Sequence, residues 1–174
     1  MAGRLVAAVV AVALAGCGGG GDGEESSTIS GVRMLGFLGR EHVTTPVSYP
    51  ETPPVGGDHS PFPQTCGAYD QPVPNEQAVH SMEHGAVWIT HRPDLPRPQV
   101  DRLRTFARRS HVLVSPYPDL PSPVVVGAWG RQLRLDSADD PRLEQFVTQF
   151  RQGPQTPEPG TACTGRGTPL VLGT

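Results

Sequence analysis

The sequence predicts an α+β fold: a single compact domain in which two amphipathic helices pack on a small mixed sheet, with long Pro/Gly-rich loops. Three observations lead there. From Ala86 onward the apolar pattern reads strand, helix, strand, strand, strand, helix. About 130 residues remain for folding once the two ends are set aside, enough for one domain with a real core. The 20 prolines cluster in "SYPETPPVGGDHSPFPQ" and "TPEPG", which makes long irregular surface loops.

The first seventeen residues read as a targeting segment. Arg4 is followed by an apolar run from Leu5 to Ala15 that is short for a bilayer span and has the length of a signal-peptide core. It ends in "LAGC", which resembles a bacterial lipobox, with Cys17 supplying the thiol for a diacylglycerol. The rival reading is an uncleaved anchor helix. Residues 18–31, Gly-rich and acidic, read as a flexible tether. The expected location is therefore the extracytoplasmic face of the cell membrane, with the membrane itself as partner through the lipid on Cys17. Residues 32–152 are the expected folded domain and residues 153–174 a Pro-rich tail that wraps its surface.

Within the domain, the apolar pattern from Val32 to Leu38 is ambiguous, and "EHVTTPVSY" reads as extended chain. Residues 50–73 read as loop. "NEQAVHSMEH" reads as a short helix, with Pro74 and Asn75 at its start and Gly85 just past its end. "AVWIT" is apolar throughout, as suits a central buried strand. "RPQVDRLRTFARRS" places Val100, Leu103, Phe106 and Ala107 on one helical stripe, and its five arginines read as a solvated face. "HVLVSPY", "SPVVVGAW" and "GRQLRLD" read as strands. "DDPRLEQFVTQFRQG" closes the domain as a helix, with an acidic start, Pro141 in the first turn, and Leu143, Phe146, Val147 and Phe150 on one side. The order also resembles the second half of a thioredoxin-like domain, but no C-x-x-C motif accompanies it.

Charge excludes one class of partner. There is no lysine, and without Arg4 thirteen arginines face 17 acidic residues, a net charge near −4. That balance argues against nucleic acid. Cys66 and Cys163 are expected to pair as a disulfide in an oxidising compartment, against the rival reading of Cys66 as a metal ligand.

The chemistry concentrates in "HSMEHG". At 100° per residue, Glu76, His80, Glu83 and His84 fall within roughly a 100° arc of the short helix, with Ala78 and Met82 opposite. Two histidines four apart can reach one ion, and His42 and His59 lie upstream as further imidazole donors. Imidazole suits zinc, copper and nickel. The string H-x-x-E-H is also a zinc-peptidase signature, but there it needs a longer helix and a downstream glutamate ligand. The bland alternative is a hydrated polar face that binds nothing.

Several quoted stretches together resemble one family. They are Gly39, Arg40, His42 and Val43; Pro53, Pro54, Gly57 and His59; Cys66, Gly67, Tyr69 and Asp70; and Val79, His80, Ser81, Glu83, His84, Gly85, Ala86 and Val87. Pro116, Tyr117 and the run Ala128, Trp129, Gly130, Arg131 continue the pattern. The chain is similar over residues 39 to about 150 to the domain of unknown function 3105 family of bacterial lipoproteins and membrane-anchored proteins. Gly56 stands where the pattern has Ser, and Met82 where it has Leu, a volume-conserving exchange. The resemblance implies no particular activity. It does imply that His42, His59, His80, His84 and Glu83 belong to the family's motifs, and it keeps open a free or metal-bound Cys66.

The expectation is thus a lipid-anchored binding domain for copper or zinc rather than an enzyme. His42, His59, His80 and His84 are the expected ligands, and Glu83 and Glu76 the carboxylates that orient imidazoles. The alternatives are a metal-dependent hydrolase and a structural or partner-binding lipoprotein, in which the polar cluster is a buried hydrogen-bond network and the proline loops form the contact surface.

Overall fold

A computed structural model describes Met1 and residues 28–36 and 39–172. The expected leader after Met1, the expected lipidation site Cys17 and most of the expected tether lie outside the described residues. No helix among the described residues is long and apolar enough to cross a membrane.

The strands are β1 (Arg33–Met34), β2 (Gly67–Ala68), β3 (Val87–His91), β4 (Val112–Pro116), β5 (Val124–Ala128) and β6 (Arg131–Leu135). They form one mixed sheet in the order β1-β6-β5-β3-β4-β2. β3 runs parallel to β4 and antiparallel to β5, with Ile89 opposite Val114 on one side and Val126 on the other. The helices are α1 (Asn75–Glu83), α2 (Arg97–Phe106) and α3 (Pro141–Phe150). This is the α+β architecture that the strand and helix order predicts.

The period of two along the central strands sorts the helices onto the two faces. Val87, Ile89, Val112, Val114, Val124 and Val126 share one core with Leu103 and Phe106 of α2 and Phe146 and Phe150 of α3. The alternate residues Trp88 and Leu113 point the other way and pack with Ala78, Val79 and Met82 of α1 and with Trp129. Both faces of the sheet are therefore covered, which is why β3, β4 and β5 are buried at every position and read as unbroken apolar runs.

The expected helix 97–110 ends earlier, at Phe106, because the chain turns at residues 107–111 and His111 takes a positive φ of 56°. α3 starts as its sequence implies: the Asp140 carboxylate accepts from the Arg142 backbone N–H at 2.9 Å and Pro141 needs no donor partner. β1 and β2 appear where the reading gave ambiguous chain and loop. With two residues each they carry no periodicity, and their strand character comes only from neighbours β6 and β4.

The tail does wrap the surface, and it is tied down. Cys66 and Cys163 are disulfide-bonded across 97 residues, with Cα atoms 5.5 Å apart. Further along, Arg166 N–H donates to Pro63 O at 2.7 Å and Leu170 N–H donates to Ala68 O at 2.7 Å. Cys66 is therefore neither a free thiol nor a metal ligand.

Candidate metal centre

Four of the six histidines converge at the face of α1 turned away from the sheet, where the segment after His59 covers it. Their approach begins in the backbone. Val43 N–H donates to His59 O at 2.7 Å and His59 N–H donates to Glu41 O at 3.0 Å. This small bridge between two Pro-rich segments sets the His42 and His59 rings 5.0 Å apart. The segment after His59 is then docked on the helix: Ser60 N–H donates to Glu76 O at 3.2 Å, and Gln64 N–H donates to Gln77 O at 3.0 Å. Ser81 reinforces this by donating its hydroxyl to Gln64 O at 2.7 Å. His80 is thereby brought to 4.8 Å from His42, ring stacked on ring, and 5.0 Å from His59.

Each of three imidazoles has its Nδ1 facing a backbone carbonyl. His59 Nδ1 lies 2.8 Å from Gly57 O, His80 Nδ1 2.6 Å from Ser60 O, and His84 Nδ1 2.9 Å from Ala162 O. A carbonyl only accepts, so Nδ1 carries the hydrogen in all three. In the neutral ring Nε2 is then a bare lone pair, the form in which histidine binds metals. The His59 Nε2 points at Glu83 Oε2, 2.9 Å away, and His42 Nε2 lies 3.7 Å from the same oxygen. The His80 Nε2 faces His84 Nε2 at 2.9 Å. Acceptors aimed at acceptors at such distances call for a cation between them, whether a proton or a metal ion.

Donor atoms of His42, His59, His80 and Glu83 all lie within 4.8 Å of one another. Two ligands of one ion at about 2.1 Å stand at most about 4.2 Å apart, so a shift of roughly half an ångström closes this group around an ion. His59 is fully buried, His80 and Glu83 nearly so, and His42 is exposed. Burial holds the His80 pKa below its ordinary value; nearby His84, His59 and His42 push the same way, and the Ser60 carbonyl opposes them. A ligand imidazole must be deprotonated, so this shift favours binding. Trp129 closes the floor, its ring 5.9 Å from His59. On the other side a solvent-open cleft is lined by Gly39, Arg40, Glu41, His42, Glu83 and Glu158.

The four expected imidazoles therefore come together, but in two steps. His84 sits against His80 and outside the four-residue group. Glu83 faces the bare Nε2 of His59 rather than its Nδ1–H, which the Gly57 carbonyl takes, so its oxygen stands at a ligand position and not at that of an orienting carboxylate. Glu76 is directed elsewhere: its Oε1 accepts from Val47 N–H at 3.1 Å. Met82 faces the core, as its place on the helix implies. His91 and His111 bond to Arg92 O and Thr161 O, away from the group. α1 stops at Glu83 with His84 as its cap, and Gly85 follows at φ 92°, so the motif lies on nine helical residues rather than on a long peptidase helix.

One residue escaped the sequence reading. Glu158 lies in the tail, its Oε2 3.6 Å from His84 Nε2, and its N–H donates to Glu83 O at 3.0 Å. The signal was the disulfide: Cys163, five residues on, pairs with Cys66, and that cysteine precedes the helix.

The family model described as "Protein of unknown function (DUF3105)" matches residues 42–165, which spans every residue of this centre. No curated protein and no solved structure matches the chain.

Proposed function

Since the chain belongs to that family, whose description assigns no activity, we propose a function from the centre itself: binding of a transition-metal ion, copper or zinc, by His42, His59 and His80 with Glu83. His84 extends the imidazole set. One observation carries the reading. The buried His59, its Nδ1 fixed by the Gly57 carbonyl, turns a bare Nε2 toward the buried Glu83 carboxylate, and beside it the buried His80, its Nδ1 fixed by the Ser60 carbonyl, keeps its own Nε2 bare. The domain acts as a lipid-anchored extracytoplasmic binding or delivery protein. The lipobox-like "LAGC" and the Cys66–Cys163 disulfide support that placement. The exposed ring of His42 at the open cleft suits an ion that is exchanged rather than entombed.

The 2.9 Å contact between His59 and Glu83 favours a second reading, a protonated His59 paired with the carboxylate in a purely structural network. Elemental analysis decides between them. The full-length protein, purified from an oxidising compartment in detergent, is expected to retain copper or zinc that a His59→Gln/His80→Gln variant loses. A wild-type protein that stays metal-free after reconstitution with either ion establishes the structural network instead.

A further inference from the structure

We infer that the centre is built for two cations, a reading that rests on the metal function proposed above. The six polar side chains divide into two sets of the same composition when His80, which completes the ligand set of a single ion, gives its Nε2 to the side of His84 instead. In one, His42 Nε2 and His59 Nε2 converge on Glu83 Oε2 at 3.7 and 2.9 Å. In the other, His80 Nε2 and Glu158 Oε2 converge on His84 Nε2 at 2.9 and 3.6 Å. Each set supplies two imidazoles and one carboxylate, three protein ligands with room for a further one, the composition of an open metal site.

The second set has a clear reason to hold a cation. His80 and His84 both donate through Nδ1 to carbonyls, of Ser60 and Ala162, so their neutral Nε2 atoms present two lone pairs to each other. Nearly complete burial keeps water from separating them. A metal ion on these nitrogens, with the Glu158 carboxylate swinging in from its half-exposed position, removes that conflict. The two sets are neighbours. His80 lies within 4.8 Å of the donors of the first set, and Glu158 is hydrogen-bonded through its backbone to Glu83. Paired metal ions stand about 3.5–4 Å apart, a spacing that adjoining sets of this size accommodate.

The test is a stoichiometry. Full-length protein in detergent, stripped with a chelator under oxidising conditions, is titrated with zinc(II) against a fluorescent zinc indicator. Two equivalents are expected for the wild type and one for Glu158→Gln and for His84→Gln. Far-UV circular dichroism and an intact disulfide serve as checks of folding. One equivalent in the wild type overturns the two-cation centre and leaves the single-ion function standing, and so do two equivalents in both variants. No binding in the wild type overturns both. The wild-type stoichiometry decides even where a variant does not fold.

Discussion

The His84 imidazole donates from Nδ1 to the carbonyl of Ala162 at 2.9 Å, and Ala162 immediately precedes the disulfide-bonded Cys163. The C-terminal tail is thus part of the centre: it fixes the His84 tautomer, and five residues before the disulfide it delivers Glu158.

Reduction of the disulfide is expected to act at two levels. Opening a loop of 97 residues removes roughly 2–4 kcal/mol of stability, which urea unfolding with and without reductant measures. The tail from Glu158 to Arg166 also gains hydrogen exchange ahead of the sheet. Equal protection of the tail in both redox states would show that its backbone bonds to Glu83, Pro63 and Thr65 suffice without the disulfide.

Acid should weaken the fold through His91. Its ring is buried, Nδ1 faces Arg92 O at 2.8 Å, and Nε2 has no hydrogen-bond partner among the described residues. Burial first, and the Arg104 charge beside it, hold its pKa below the ordinary 6.5, against the Arg92 carbonyl. The unfolded chain therefore takes up the proton at a higher pH than the folded one. The contribution is full above about pH 6.5 and is lost as pH falls from there through the folded value. The urea midpoint of the wild type should fall between pH 7.5 and 5.5 more steeply than that of His91→Gln. Parallel slopes would refute this.

Gly85 is expected to resist substitution. Its φ of 92° lies in the left-handed region, and an added Cβ would meet the Gln152 amide, which bonds to His84 O. Gly85→Ala should cost more than about 1 kcal/mol by denaturant unfolding, since strain adds to displacement of Gln152. A loss within a few tenths of that of a neutral surface exchange would mean that the turn relaxes freely.

What the sequence determined by itself is the secondary structure wherever a period could run. Unbroken apolar strands such as Val124–Val126, and helical stripes such as Leu143–Phe146–Val147–Phe150, identify their elements because burial repeats along them. It also named His80 and His84, since two imidazoles four apart on one helix face need only local geometry to be neighbours, and it offered His42 and His59 as upstream imidazoles within the family's motifs. The disulfide partner followed from there being one other cysteine beyond Cys17. The tertiary structure decided the rest. Whether Glu83 stands beside His59, whether Glu76 turns to Val47, and whether Glu158 reaches His84 all depend on how Pro-rich segments without periodicity dock on α1. Those segments are placed by single backbone hydrogen bonds to residues far along the chain, and such pairings leave no repeating mark in a sequence.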